Sequence, residues 1–309
     1  MATSLAGLLE AQGHRLALLI GNGINRYRAA AATNSWNDLL AGLAQRHGVT
    51  DGRAVPPGIA LTEFFDVLEL ATGQGDATGR LQAEFCEGMA DWRPFAQHRR
   101  VVAWARAHGT PILTTNFDGV LAAAGDCTLQ HLTTRGFTDF YPWESCFAPG
   151  PVTDPAAAFA IWHLNGTAHY RRSVRLGLTH YMGAVFRARS WIRPGARSGL
   201  HGRGTARWRG RLSWLQILFT RPLLILGLGL EENEVFLRWL LIERARYFRR
   251  FPRRRLPAWY LHTEALVGTG KDFFLRGVDV QPVAAAGFDE LYAESTWSGT
   301  SSGPAPGST

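Results

Sequence analysis

The chain is short of lysine, cysteine and long apolar runs, and each shortage narrows what it can be. Lys271 is the only lysine among 33 basic residues, so the formal charge of +8 is carried by arginine. We read this first as the imprint of a GC-rich genome and second as nucleic-acid affinity in two stretches, Arg187 to Arg211 and Arg244 to Arg255. Cys86, Cys127 and Cys146 are odd in number and widely spaced, which fits neither a disulfide framework nor a Cys-x-x-Cys zinc site, so no metal is expected. No apolar run approaches the roughly 20 residues that span a bilayer. The best candidate, Pro222 to Leu230, is flanked by Arg221 and Glu231 and reads as a core strand. Met1 to His14 lacks the pattern of a secretory signal, so a cytoplasmic protein without membrane contact is expected.

What is present is enough apolar residue, 46% of 309, for one large α/β domain. Short apolar runs at 16–20, 111–114, 129–132, 160–164, 222–226, 258–262 and 278–283 predict strands. Helical spacing at 61–70, 80–89 and 95–107 predicts a helical insertion, about 49–109, between the first two strands. Further helices are expected after Ser35, where Trp36 and Leu40 would pack on the sheet, at Phe117 to Ala124 just after Asn116, and at 181–191, 212–219, 235–248 and 288–292. Residues 133–159 read as a proline-bearing loop, and Gly195 to Gly210, within the Arg-rich stretch 187–211, as a mobile loop over a pocket. The expectation is a Rossmann-like, doubly wound parallel sheet with a helical insertion and no zinc ribbon over 1–293, followed by a disordered tail, 294–309.

Four motifs fall where predicted strands run into loops, the place where open parallel sheets bind nucleotides. In Gly21-Asn22-Gly23-Ile24-Asn25 the glycines would let backbone amides approach a pyrophosphate, with Asn22 and Asn25 as uncharged donors. The third glycine of the dehydrogenase fingerprint is missing and no acidic residue ends a second strand about 20 residues on, which disfavours hydride transfer. In Thr114-Thr115-Asn116-Phe117-Asp118, Asn116 would orient a ribose hydroxyl or a water and Asp118 stabilise positive charge, or both would simply cap the next helix. His163 and Asn165 flank Leu164 on a predicted strand and so would share a face, with His163 able to take a proton and Asn165 only to orient. Gly227-Leu228-Gly229 suits the adenosine half of a cofactor, and Glu231, Glu232 and Glu234 would begin a helix, one of them, Glu231, reaching a ribose hydroxyl.

Together these residues resemble the sirtuin-like family of prokaryotic proteins, over about Leu16 to His262. The resemblance is carried by the 21–25, 115–118, 162–166 and 227–230 motifs, with Ser35-Trp36 and the helix at 236–241, whose continuation at 243–248 looks like that of the bacterial defence branch. It implies binding of NAD and its cleavage to nicotinamide and ADP-ribose without a metal, as an effector of anti-phage defence, and not lysine deacylation. It implies that Asn116 and Asp118 match the family's nicotinamide and ribose contacts. A homo-oligomer and a partner ATPase or other defence-system protein are the expected partners. The chain departs from the family at one position: the catalytic histidine should immediately precede the glycine of the third motif, and Asn165 stands there, with His163 two residues earlier. Two residues of strand are about 6 to 7 Å. An NAD hydrolase using His163 or Asn165, a weakly catalytic NAD or ADP-ribose sensor, and, third, a deacylase remain the alternatives.

Overall fold

The predicted apolar runs become strands of one eight-stranded sheet. The computed structural model describes residues 4–27, 34–51, 54–73, 79–135, 137–193, 199–232 and 234–298. The chain opens with α1 (Leu5–Gln12) and enters β1 (Ala17–Ile20). Among the described residues, five helices then separate β1 from β2 (Ile112–Thr114): α2 (Gly23–Arg26), α3 (Trp36–Arg46), α4 (Leu61–Thr72), α5 (Arg80–Glu87) and α6 (Ala96–Ala107). Next come α7 (Val120–Ala124), β3 (Thr128–His131), β4 (Ser145–Ala148) and β5 (Ile161–His163). After α8 (Leu178–Ile192), α9 (Leu200–Arg203) and α10 (Leu215–Thr220), β6 (Leu223–Leu226) leads into α11 (Val235–Arg250). The chain ends through β7 (Ala258–His262), α12 (Gly270–Gly277), β8 (Gln281–Ala284), α13 (Phe288–Tyr292) and α14 (Glu294–Trp297).

The strand order is β3-β4-β5-β2-β1-β6-β7-β8. Neighbours from β5 to β8 are parallel, whereas β4 runs antiparallel to both β3 and β5. This is a mixed α/β fold, consistent with a Rossmann-like arrangement. The chain builds β1, β2 and β5 outward in one direction, then crosses back to β6, β7 and β8, so strand order reverses beside β1. Crevices form at such reversals, outside the carboxyl ends of the strands. Register sharpens the point: Ile20 pairs with Thr114 and Leu226, and Thr114 with His163. The four motifs therefore leave the sheet at one level.

Alternation along the buried strands divides the core. Ala17, Leu19, Leu113, Trp162, Leu223 and Ile225 pack with α8, α10 and α11, whereas Leu18, Ile20, Ile112, Ile161, Leu224 and Leu226 pack with α1, α6 and α13. The insertion has its own core, in which Leu40, Phe65, Leu68 and Phe85 surround Phe117.

Several expectations need correction. Trp36 and Leu40 pack on Phe117 and the insertion core, not on the sheet; the Trp36 and Phe117 rings stack at 4.6 Å. Ser35 is the N-cap residue of α3 but makes no side-chain cap hydrogen bond. The helix after Asn116 begins at Val120, because Asp118 Oδ1 accepts the Val120 amide at 2.9 Å and ends the extended segment in a cap. β4 lies inside the stretch read as a proline-bearing loop. The stretch 187–211 is packed where described: α8 runs through Arg187 and Arg189, Leu200 is fully buried, and Trp208 Nε1 donates to Gln216 Oε1 at 2.6 Å. Residues 194–198 lie outside the described residues. Glu294–Trp297 is helical, with Trp297 packed edge-on against Trp104, so the expected tail is ordered at its start; 299–309 lie outside the described residues.

The turns after β1 and β6 are pressed together. The Gly23 amide donates to the Gly227 carbonyl at 2.7 Å, and a Cβ on Gly21 would stand 2.5 Å from that oxygen. Gly227 itself has φ +63, and a Cβ there would strike the Tyr292 hydroxyl. Gly227→Ala combines a left-handed backbone with this collision and should cost about 2 to 4 kcal/mol. Chemical denaturation checks it against Gly150→Ala, which meets nothing within 4 Å and should change stability by less than about 0.5 kcal/mol; equal effects would contradict the close approach.

Candidate functional site

A cavity of about 890 Å³ opens over the carboxyl ends of β1, β2, β6 and β7. That is near the upper end of the roughly 300–1,000 Å³ usual for ligand sites. Asn22 and Gly23 line it from β1, Thr115 from β2, Gly227 to Glu231 from β6, and Tyr260 to Glu264 from β7; Arg26, Trp36, Glu234 and Lys271 complete its wall. Of the residues expected at the site, Asn22, Gly23, Thr115, Gly227, Gly229 and Glu231 reach this cavity. Gly21, Asn25, Asn116, Asp118, His163 and Asn165 do not; they form a layer buried at the same level of the sheet, outside the cavity lining.

Asn25 ties that layer together. Its Nδ2 donates to Asn22 Oδ1 and to Asp118 Oδ2, both at 2.8 Å. Its Oδ1 stands 2.8 Å from His98 Nε2. His98 Nδ1 accepts the Phe95 amide at 3.0 Å, so the neutral ring carries its proton on Nε2 and donates it to Asn25. Burial pushes the His98 pKa down to about 4, which keeps that arrangement. Gln97, the next residue of α6, donates to the Ile24 and Tyr27 carbonyls at 3.1 and 2.8 Å. The insertion thus clamps the turn after β1. Asn25 was expected to face a ligand, but every hydrogen of its amide is already in use. The amides of Gly21 and Gly23 are likewise bonded, to Leu226 and Gly227 carbonyls, so these glycines serve the contact between turns and do not cradle a pyrophosphate.

Asp118 accepts from Val120 and Asn25, yet burial dominates and raises its pKa. It is a cap and a tether.

The third motif also differs from expectation. β5 ends at His163, so strand alternation does not carry to Asn165, which sits in a turn before Gly166 at φ +92. Both are nonetheless buried. The His163 Nδ1–H donates to the Asn116 carbonyl at 2.7 Å, leaving an acceptor lone pair on Nε2. That Nε2 has no partner among the described residues, nor do Asn116 Nδ2 and Oδ1, Asn165 Nδ2 and Thr115 Oγ1. Native proteins leave few buried polar atoms unsatisfied, and several in one layer mark a place where a polar group belongs. Burial lowers the His163 pKa to about 4, so the ring is neutral at pH 7.

Two residues escaped the sequence reading. Arg175 is 5% exposed, its Nη1 on the Leu164 carbonyl at 3.3 Å and its Nε without a partner. It lines a 50 Å³ side chamber that shares Trp36, Leu61 and Glu234 with the main cavity. Burial brings its pKa down to about 10. Lys271 bridges Glu231 at 2.8 Å and Glu264 at 2.9 Å; burial opposes its charge, but these hydrogen bonds outweigh burial and hold its pKa above the ordinary value. A lone lysine was its only signal in the sequence. Glu231 thus meets the cavity partly neutralised. Glu234 precedes α11 as its N-cap residue and does not open its first turn; burial, with Glu231 nearby, raises its pKa to about 7.

Among the described residues no group of three or more His, Cys, Asp or Glu side chains could hold a metal ion, and no helix is long and apolar enough to cross a membrane. No family model matches the chain, and no curated protein matches it.

The buried histidines give the native state a pH dependence. A histidine whose pKa falls from 6.5 to about 4 on folding contributes stability that is complete above its ordinary pKa and lost as the pH falls toward 4. Each is worth on the order of 3 kcal/mol. Asp118, raised by burial, works in the opposite sense and softens the loss. The melting temperature should therefore drop between about pH 6 and pH 4, and His163→Asn should drop less steeply than wild type; parallel profiles would contradict a neutral, buried His163.

Proposed function

We propose that the chain is a sirtuin-like, NAD-binding protein on a Rossmann-like, doubly wound sheet, and that it hydrolyses NAD to nicotinamide and ADP-ribose. The observation that carries this reading is the set of unpartnered polar atoms of Asn116, His163 Nε2 and Asn165, buried at strand ends in register with Thr115, whose own unpartnered hydroxyl belongs to the lining of a cavity of dinucleotide size at the strand-order reversal. Hydrolysis of a glycosidic bond needs groups that orient the ribose and the attacking water. Because the Gly21 and Gly23 amides are spent, we assign the phosphates to the Arg26 guanidinium and the Thr115 hydroxyl in the cavity wall. Glu231 and Glu264, fixed by Lys271, face the cavity from the β6 and β7 loops, where carboxylates suit ribose hydroxyls. Asn116 would hold the reacting ribose and Asn165 orient a water toward it.

His163 Nε2 is the available proton acceptor, always deprotonated at neutral pH. A conjugate-acid pKa of about 4 makes it a weak one, since bases work best near the working pH. This favours slow turnover. It also gives weight to a second reading, an NAD or ADP-ribose sensor with little turnover, which the asparagine at 165 supports. A lysine deacylase is the least favoured. A role in anti-phage defence, a partner ATPase and self-assembly rest on the resemblance of the motifs alone.

Purified protein incubated with NAD should release nicotinamide, and Asn116→Ala should reduce the rate at least about 100-fold, as loss of a transition-state hydrogen bond does. Release that survives this change would overturn the site; saturable NAD binding without release would select the sensor. Binding should also weaken as the pH rises through about 7, where Glu234 becomes ionised beside an anionic ligand. Glu234→Gln should abolish that dependence; titrations of both proteins at pH 6 and 8 check it.

A further inference from the structure

The two Arg-rich stretches, separate in sequence, meet at the far end of the molecule. α11 starts at the cavity and runs its 16 residues, about 24 Å, toward the amino ends of the strands. α8 carries Tyr181 of its first turns in the side chamber and ends where Arg193 pairs with Glu243 of α11 at 2.7 Å. The His201 ring of α9 packs against Tyr247 and Phe251, and Gly204 lies against the Arg254 guanidinium. The first stretch contributes Arg187, Arg189, Arg193, Arg207, Arg209 and Arg211, of which Arg187 and Arg209 share Trp191 of α8 and Arg193 meets α11. Arg246, Arg249, Arg250, Arg253, Arg254 and Arg255 come from the other.

Among the described residues, the carboxylates that meet these twelve are Glu144, Glu243 and Asp279. Twelve charges against three leave nine, more than the +8 of the whole chain, so the rest of the protein is close to neutral. A genome-wide preference for arginine explains the residue type. It does not explain why the charge is concentrated in two stretches that the fold brings together at the Arg193–Glu243 pair.

We infer that this face binds the phosphodiester backbone of a nucleic acid. Eight of the twelve guanidiniums have no carboxylate within ion-pair distance among the described residues: those of Arg187, Arg189, Arg207, Arg209, Arg211, Arg250, Arg253 and Arg254. Some lie against aromatic rings. Arg187 and Arg209 both lie over Trp191 at 5.7 Å, and Arg254 and Arg250 over Phe251 at 5.0 and 5.8 Å. A guanidinium held near a ring keeps N–H groups free for a phosphate, which arginine can take bidentately. An acidic protein surface would need carboxylates spaced to match, whereas a polyphosphate supplies charge at regular, close intervals.

The test is fluorescence anisotropy of the full chain with labelled single-stranded DNA, single-stranded RNA and duplex DNA at about 50 and about 200 mM salt. The triple variant Arg207→Ser, Arg211→Ser, Arg253→Ser removes exposed residues without carboxylate partners; Arg15→Ser, Arg46→Ser, Arg99→Ser makes the same charge change elsewhere. Melting curves of both establish folding. Binding should weaken at least about tenfold in the first variant only, with its salt slope reduced by about 2 to 3, and the three probes decide which backbone is preferred. Absence of binding at low salt, equal loss in the two variants, or displacement by polyglutamate as efficient as by nucleic acid would each overturn the inference. None of these outcomes depends on NAD.

Discussion

Where β1 and β6 end, the Gly23 amide meets the Gly227 carbonyl at 2.7 Å, and the two turns come closer than any side chain would permit. This contact sets the level of the cavity floor, because the strands on either side are in register up to Ile20 and Leu226. The Asn25 amide then joins the same turn to Asp118 after β2 and to His98 of α6. One backbone contact and one carboxamide thus lock three strand ends and the insertion into a single rigid unit. Buried networks of this kind, fully satisfied, fix a unique arrangement.

Next to this satisfied network lies an unsatisfied one. Asn116, His163, Asn165 and Thr115 sit within the same layer, yet polar atoms of each lack partners. The contrast divides the polar motif residues by role: Asn25 and Asp118 build the site, whereas Asn116, His163 and Asn165 have capacity left for chemistry. It also explains why His163 is a weak base. The burial that leaves its Nε2 without a partner also lowers its pKa to about 4.

Much of this was legible in the chain. Seven apolar runs of strand length, with motifs at their ends, give the α/β class and the level at which the cavity lies, because a strand ending in glycine or asparagine can be read locally. β4 could not be read, since Ser145 to Ala148 is short and hidden among prolines. The start of α7 was misplaced for a different reason: only the tertiary bond from Asn25 shows Asp118 to be a tether as well as a cap. Which asparagine keeps a free amide is likewise decided by partners 73 and 93 residues away. The meeting of the Arg-rich stretches depends on α8 and α11 running side by side, which no local pattern encodes.

The central claim is that the polar layer at the strand ends receives a dinucleotide. Amide hydrogen exchange of the full chain, with and without NAD, tests it most directly. The account predicts slower exchange at 114–118, 163–168 and 227–231 when NAD is present, with 246–255 unchanged. Unaltered exchange at 114–118 and 163–168 under saturating NAD would contradict it.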